Sequence, residues 1–182
     1  MSSPQSDVEA WNAALAGDGA AFAEIFDRYE QRVLRHSLRL VPSPEDAKDV
    51  VGITFLEAWR KRDAVRFVNG SLLAWLLVTA TNTARNMSRS MRRYQHLLER
   101  IPPSPHARDP ADLIEGGPAV QALRTLSARH QDVVALCILQ GFSTSDAAVA
   151  LGIAEGTVKS RLHWAKRHLA DRMTLNLIER TA

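Results

Sequence analysis

Five of the eight prolines in this chain lie between residues 100 and 118, in the segment RIPPSPHARDPADLIEGGP, together with two adjacent glycines. Proline removes a backbone donor and fixes φ, so no continuous helix can cross this segment. On both sides of it apolar residues recur with helical spacing, and strand patterns are nearly absent. The chain is therefore predicted to be all-α, with two small helical domains, residues 1–98 and 118–182, joined by a flexible, acidic and Pro-rich linker over residues 99–117.

Glycines and prolines divide each predicted domain into four helices. In the first domain the breaks fall at residues 17–19, 42–44 and 69–70. The predicted helices span residues 7–16, 20–40, 44–62 and 71–93 in the first domain, and residues 118–126, 127–140, 143–151 and 154–173 in the second.

The sequence argues against membrane-spanning, disulfide-linked and enzymatic classes of protein. The longest apolar run, LLAWLLVTA, is far shorter than the roughly 18–20 residues of a membrane span, and the polar N-terminus is unlike a signal peptide. The single cysteine, Cys137, lies in the apolar run VVALCIL and is interpreted as a core residue. The six histidines show no metal-ligand spacing, and no Gly-rich phosphate loop or nucleophile motif appears. We therefore expect a soluble cytoplasmic protein that is not an enzyme and needs no cofactor or metal.

The net charge of +3 is unevenly distributed along the chain. One basic cluster precedes the proline-rich segment and a second runs from Lys159 to Arg172, with the acidic run DPADLIEGGP between them. This arrangement predicts two separate contacts with a polyanion, although solvated helix faces without a partner would have the same composition. The first cluster consists of Arg85, Arg89, Arg92 and Arg93.

The second domain has the residue spacing of a helix-turn-helix. Ala148, Gly152 and Val158 occupy positions 5, 9 and 15 of a unit that begins at Thr144. Such a unit needs a small residue where its helices cross, a glycine to turn the chain, and an apolar residue that points back into the angle. The alternative is an αα-hairpin that binds no nucleic acid.

The second helix of this unit, in LGIAEGTVKSRLHWAKRHL, has a narrow apolar seam opposite a basic face. No acidic residue lies between Glu155 and Asp171, so the basic face should attract phosphate. The second helix of a helix-turn-helix lies in the major groove, where some side chains face bases and others phosphates. Trp164 can pack either on the DNA backbone or against a neighbouring helix. Lys159, Ser160 and His163 are predicted to face bases, Arg161, Lys166 and Arg167 to face phosphates, and Val158, Leu162, Ala165 and Leu169 to form the seam.

The helix predicted at residues 71–93 carries a stripe of aromatic, amide and guanidinium side chains within about 40° of one direction, opposite a broad apolar face. Such a stripe suits an unpaired nucleic-acid strand, whose bases can be stacked and hydrogen-bonded. In the other interpretation Trp75 belongs to the core and the arginines are only solvated. The stripe consists of Trp75, Asn82, Asn86, Arg89 and Arg93.

The helix before it, PEDAKDVVGITFLEAWRKR, is predicted to have one buried face and one protein-docking face. Apolar side chains ringed by charge are typical of a docking patch. The alternative is a helix enclosed within its own domain. The buried face comprises Ala47, Val51, Phe55 and Ala58, and the docking patch comprises Asp49, Ile53, Leu56, Glu57 and Arg60.

These segments, in this order, resemble the extracytoplasmic-function (ECF) group of bacterial sigma factors, within the sigma-70 family. AFAEIFDRYEQRVLRHSLRL and DAKDVVGITFLEAWRKRD are similar to the start of the family's region 2, and SLLAWLLVTATNTARN to the part that recognises the −10 element. LSARHQDVVALCILQGFSTSDAAVALGIAEGTVKSRLHWAKRHL is similar to region 4, which reads the −35 element. The resemblance covers nearly the whole chain.

The resemblance implies a subunit that directs core RNA polymerase to promoter DNA. The docking helix would bind the clamp of the largest polymerase subunit, and the second domain would rest on the flap of the second-largest subunit. Asn82 and Asn86 match positions against the unwound −10 strand. Lys159, Ser160 and His163 match positions that face the −35 bases. The linker would run toward the RNA exit channel, an anti-sigma factor is a further partner that the family allows, and the location would be the cytoplasm, with the nucleoid.

Two departures from the family pattern bear on these roles. Gly52 and Ile53 stand where the family commonly has a polar pair, and an interior glycine weakens a helix by roughly 1 kcal/mol relative to alanine. Trp164 stands where the family often has arginine. The competing hypothesis is a stand-alone helix-turn-helix transcriptional regulator with an N-terminal sensor or dimerisation domain, which would bind duplex DNA without polymerase.

Overall fold

The structure is a computed structural model that describes residues 6–98, 122–123 and 125–179. Within these residues the regular elements are helices, and β-structure is confined to one bridge between Val68 and Ser71, so the all-α prediction is confirmed. The linker and most of the helix predicted at residues 118–126 lie outside the described residues. The helices are α1 (Asp7–Leu15), α2 (Gly19–Ser37), α3 (Pro44–Arg60), α4 (Leu73–Leu98), α5 (Ala128–Val134), α6 (Thr144–Leu151) and α7 (Glu155–Glu179), with a 3-10 turn at Arg62–Ala64 and a π-helical turn at Ala135–Leu139.

Side-chain caps determine where several of these helices begin. Ser6 and Glu9 form a reciprocal capping box at the start of α1, and Asp18 accepts hydrogen bonds from two backbone N–H groups of α2. The Ser43 hydroxyl accepts from the Asp46 backbone N–H at 3.0 Å before α3. Each cap satisfies a donor that the first helical turn leaves unpaired.

Several helices end differently from the prediction: α2 ends at Ser37 rather than residue 40, and α7 continues to Glu179 rather than residue 173. α4 continues to Leu98, beyond the predicted end at residue 93, because neither glycine nor proline interrupts the sequence before Pro102. The helix predicted at residues 127–140 is α-helical to Val134 and then widens into the π-helical turn. Gly141 turns the chain there with φ of +74°.

A buried carboxylate ties the N-terminal helix to the start of α4. Asp7 accepts hydrogen bonds from the Tyr29 hydroxyl and the Arg28 guanidinium of α2, and from the Leu72 backbone N–H at 2.9 Å. A buried charge is tolerated when it is paired and hydrogen-bonded in this way. These bonds hold α1, α2 and the start of α4 around a core that includes Ile25, Val33, Val50 and Leu76.

The two halves of the chain pack against each other along α4. One side of α4 contacts α2 and α3, and another contacts α5, the π-helical turn and α6. Val133, Leu136 and Ala147 from the C-terminal half belong to the same buried core as the N-terminal helices. The sequence predicted the two domains but did not indicate this contact between them. A helical unit of about 60 residues buries only about 60% of the surface that its unfolded chain exposes, so α5 and α6 gain burial by packing on α4.

Candidate nucleic-acid interface

The helix-turn-helix predicted from the sequence is present as α6, a tight turn and α7. Gly152 adopts the left-handed conformation, with φ of +65° and ψ of +42°, and ends α6. Ala148 and Val158 are buried where the two helices meet. The Thr144 hydroxyl donates to Glu155 at 2.7 Å and fastens the start of α7 to α6. The spacing prediction is therefore confirmed in its geometry.

The basic face of α7 points away from the core. Val158 and Ala165 of the seam are buried, and Leu162 and Leu169 are half-buried. Opposite them the predicted DNA-facing side chains are accessible. Lys159, Ser160, His163, Lys166 and Arg167 are exposed, and Arg161 is half-buried.

Two local bonds orient residues at the start of α7. The Lys159 ammonium lies 2.9 Å from the Glu155 carboxylate, in an exposed pair. Hydrogen bonds from Thr144 and Lys159 lower the pKa of Glu155. Ser160 donates to the Thr157 carbonyl at 3.1 Å. An exposed pair contributes little to stability, so Lys159 can leave Glu155 for another partner at small cost.

Trp164 packs against a neighbouring helix, which is one of the two placements left open by the sequence. Its ring stacks on His130 of α5 at a centroid distance of 4.2 Å and on His168 at 4.9 Å. The residue nevertheless remains 47% exposed. Burial, followed by the charges of Arg129 and Arg161, lowers the pKa of His130, so this imidazole is neutral at neutral pH. His130 was not identified as a partner from the sequence because it precedes Trp164 by more than thirty residues, whereas His168 was missed although it lies one helical turn after Trp164.

The stripe on α4 is divided into a buried and an accessible part. Asn86, Arg89 and Arg93 are exposed and Asn82 is half-buried, but Trp75 is only 8% exposed. The placement of Trp75 on an exposed stripe was therefore wrong. All six residues from 72 to 77 are buried, because the other helices enclose this end of α4.

Arg85 also contacts the stripe, although its direction on the helical wheel lies outside it. Its guanidinium donates to the Asn82 side-chain oxygen and reaches the Asp132 carboxylate of α5 at 3.4 Å. The first basic cluster of the sequence already contained Arg85, but its partner lies 47 residues away.

A cleft of about 560 Å³ runs beside the stripe, between the two halves. α4 contributes Trp75, Asn82 and Asn86 to its lining, so the buried tryptophan still borders this space. α3 contributes Ile53 and Glu57. The C-terminal half lines the cleft with Asp132, Ala150 and Leu151.

The docking patch on α3 is accessible, which excludes an enclosed helix. Ala47, Val51, Phe55 and Ala58 are buried as predicted, whereas Leu56 is 56% exposed and Ile53 and Trp59 are also exposed. Trp59 was missed, although it continues the three-residue spacing of Ile53 and Leu56. Its ring contacts Phe22 edge-on, and the Arg62 guanidinium lies 5.6 Å above it. Asp49 and Arg60 are exposed beside the patch.

Glu57 is the half-buried acid of this patch. It pairs with Lys61 at 2.8 Å and with Arg60 at 3.1 Å. The hydrogen bond from Lys61 lowers the pKa of Glu57, so the carboxylate is charged at neutral pH. The patch therefore presents apolar side chains beside charges of both signs, which is the composition expected of a surface that binds protein.

Comparison with known families assigns the two halves of the chain to two regions of one family. Residues 25–94 match the model of sigma-70 region 2, and residues 118–169 match that of sigma-70 region 4. The ECF RNA polymerase sigma factor SigL of Mycobacterium tuberculosis is 34% identical over 169 residues, which cover 90% of this chain and 94% of SigL. This chain is an ECF sigma factor. SigM of the same species is 32% identical over 168 residues, covering 91% of this chain and 84% of SigM.

Solved structures of sigma factors share the fold. CnrH, in complex with the cytosolic domain of CnrY, superposes with a TM-score of 0.64 at 22% identity, covering 94% of this sigma factor and 99% of CnrH. The sigma factor RpoE of Bartonella quintana, in complex with the anti-sigma factor NepR, gives a TM-score of 0.54 at 26% identity, over 84% of this chain and 96% of RpoE.

The described part of the chain contains neither a helix suited to a membrane nor a cluster of metal-ligating side chains. None of its helices combines the length and the apolar character needed to span a membrane. No three histidine, cysteine, aspartate or glutamate side chains in these residues are grouped so that they could hold a metal ion.

Proposed function

We propose that this sigma factor binds core RNA polymerase in the cytoplasm and directs it to promoters by reading duplex −35 DNA and the melted −10 strand. The observation that carries the proposal is the exposed basic face of α7 on a helix-turn-helix closed by Gly152. Family membership supports a role in transcription initiation.

The −35 element would be read by the first half of α7. Lys159, Ser160 and His163 are exposed on the face that a helix-turn-helix presents to the major groove. Arg161 and Arg167 lie on either side of this face and would contact phosphates. Trp164, held by its two histidine neighbours, would offer its exposed edge to the sugar–phosphate backbone rather than enter the groove.

The −10 strand would be held by α4. Asn82 and Asn86 can hydrogen-bond base edges, and Arg89 and Arg93 can pair with phosphates. Opening a promoter costs about 1.4 kcal/mol of stacking free energy per base-pair step. Stacking of a captured base on an aromatic ring offsets part of this cost, by roughly 1–3 kcal/mol per base. Trp75 could supply such a ring only through the cleft, since it is otherwise buried.

Core polymerase would bind through both halves of the chain. The patch of Ile53, Leu56 and Trp59, with Asp49, Glu57 and Arg60 around it, suits the clamp of the largest subunit. The C-terminal half would rest on the flap of the second-largest subunit. The complex of Bartonella quintana RpoE with NepR supports an anti-sigma factor as an additional partner.

Transcription by reconstituted holoenzyme tests this function. Core polymerase is mixed with the purified chain and a genomic library, and transcript start sites are mapped with and without the chain. New start sites that share an upstream −35 and −10 pair support the proposal. A chain that binds duplex DNA specifically by itself, and adds no start sites, would be a stand-alone regulator instead.

A further inference from the structure

A carboxylate of the C-terminal half lies against the surface proposed to hold the −10 strand. Asp132 on α5 has a side chain only 18% exposed, and one of its oxygens is 3.4 Å from the Arg85 guanidinium. The Gln131 side-chain oxygen is 3.5 Å from the same nitrogen of Arg85. Arg85 thus has two acceptors from α5 on one side.

The same guanidinium also forms a hydrogen bond with a residue of the stripe on α4. Arg85 donates through its other terminal nitrogen to the side-chain oxygen of Asn82. The amide of Asn82 is therefore connected, through a single arginine, to a carboxylate on the opposite half of the chain. Asn82 and Asp132 both line the cleft.

Asp132 resembles a nucleic-acid phosphate in what it offers to Arg85. Carboxylate and phosphate are both anionic acceptors that fit a guanidinium. Burial raises the pKa of Asp132, and the charge and hydrogen bond of Arg85 oppose that shift. A strand that follows Asn82 and Asn86 along α4 would meet α5 at this point.

We propose that Asp132 substitutes for a DNA phosphate at Arg85, so that the free sigma factor keeps Arg85 and Asn82 of its −10 surface engaged until the two halves separate. In the separated form Arg85 becomes a phosphate contact for the −10 strand, and the Asn82 amide is released to meet a base. This inference depends on the proposed function, because it assigns a strand-binding role to α4.

Other contacts hold the halves together away from the stripe. Gln140 donates to His36 Nδ1 at 2.9 Å, Arg39 donates to the Leu139 carbonyl at 3.0 Å, and Asn69 donates to Asp146 at 3.1 Å. These bonds stabilise the closed arrangement without touching Asn82. Removing one of these bonds should therefore loosen the contact between the halves and leave Asp132 unaltered.

Strand binding by the full-length chain tests the inference. The probe is a fluorescein-labelled single-stranded DNA oligonucleotide of random sequence, followed by anisotropy. Asp132→Asn keeps the side-chain shape and removes the charge, and Asp27→Asn is its matched control, an exposed acid on α2. We expect Asp132→Asn to bind about fivefold more tightly than the wild type, as the competent population rises, and Asp27→Asn to differ little. Adding Arg85→Gln to Asp132→Asn should remove the gain.

Circular dichroism shows whether Asp132→Asn folds. If it does not, a second variant still tests the inference. Gln140→Ala removes a bond between the halves and leaves Arg85 and Asp132 in place. It should also raise affinity for the oligonucleotide, and small-angle X-ray scattering should show a larger radius of gyration. Affinity equal to that of Asp27→Asn in the folded Asp132→Asn variant overturns the inference. If that variant does not fold, unaltered affinity of Gln140→Ala overturns it.

Binding to core polymerase, measured on the same preparations, separates this inference from the proposed function. A wild-type chain that binds polymerase and promotes transcription, while Asp132→Asn gains no strand affinity, refutes the closure alone. A wild-type chain that does not bind polymerase refutes the function on which it depends.

Discussion

Gly152, at the end of α6, lies against the guanidinium of Arg66 from the N-terminal half. A Cβ added at Gly152 would be 2.6 Å from Arg66 Cζ, and the glycine has φ of +65°. The turn of the helix-turn-helix is thus constrained twice, by its own backbone and by a side chain from the other half.

Gly152→Ala should destabilise the protein. The left-handed conformation costs an L-residue roughly 1–2 kcal/mol, while the flexible Arg66 side chain can move aside. Chemical denaturation of Gly152→Ala and of Gly152→Ala with Arg66→Ala measures the two contributions. We expect the double variant to recover little of the loss. Gly156→Ala is the control, since Gly156 has no atom near its Cβ position and no positive φ. An equal stability of Gly152→Ala and wild type would contradict the constraint.

Gly52→Ala should stabilise the protein by up to about 1 kcal/mol. Gly52 is exposed within α3, and nothing lies within 4 Å of the Cβ that alanine would add. Alanine has the higher helix propensity and loses less conformational entropy on folding. The midpoint of urea unfolding should rise with an unchanged slope. A lower midpoint would mean that the glycine has a conformational role that its geometry does not show.

His36 should make stability depend on pH between about 4 and 6.5. The Thr81 hydroxyl donates to the Leu77 carbonyl, so it accepts from His36 Nε2, and His36 Nδ1 then accepts from Gln140. This arrangement suits the neutral ring, and burial lowers the pKa of His36 to about 4.

The unfolded chain therefore binds a proton at His36 where the folded chain does not. Stability is greatest above pH 6.5 and falls as the pH is lowered toward 4, by roughly 3 kcal/mol for this group. Urea unfolding of wild type and His36→Gln at several pH values measures the difference. The His36→Gln variant should start less stable at pH 7 and lose less on acidification. Parallel losses in the two proteins would exclude His36 as the cause.

Leu56→Asp should weaken binding to core polymerase by at least about tenfold, or 1.4 kcal/mol. Leu56 is exposed at the centre of the docking patch, and a charge there would have to be desolvated against an apolar partner. Leu15→Asp, at an exposed leucine of α1 outside the patch, is the matched control. Competition binding with labelled wild type gives both affinities. Equal affinities for the two variants would show that core polymerase binds a surface other than the docking patch.

Lys159→Ala should reduce transcription from promoters that have a −35 element. A base contact carries about 1–3 kcal/mol of discrimination, and Lys159 gives up only an exposed pair with Glu155 to make it. Run-off transcription on a promoter and on its −35-scrambled version checks this. The loss should be large on the first template and small on the second. A similar loss on both would identify Lys159 as a phosphate contact.

Local patterns predicted the helices and the helix-turn-helix well. Ala148, Gly152 and Val158 each have a steric role set by residues nearby in sequence, so their spacing was enough. The buried and exposed faces of α3 followed from helical periodicity for the same reason. Ser6 and Ser43 cap helices that begin at Asp7 and Pro44, which are the predicted starts.

Contacts between distant segments could not be predicted in this way. A helical wheel gives the direction of Trp75 but not the helices that cover it. The Arg85–Asp132 pair joins residues on opposite sides of the proline-rich segment, and nothing in either neighbourhood indicates the other. The stacking of Trp164 on His130 is equally non-local, although the exposed position of Trp164 on α7 was foreseeable.

Co-elution with core RNA polymerase tests the central claim most directly. The purified chain and core enzyme are mixed at micromolar concentration and separated by size-exclusion chromatography, with Leu56→Asp run in parallel. We predict that the wild-type chain elutes with the enzyme and that the variant elutes largely alone. Separate elution of the wild-type chain, at concentrations where an established sigma factor co-elutes, would contradict the account.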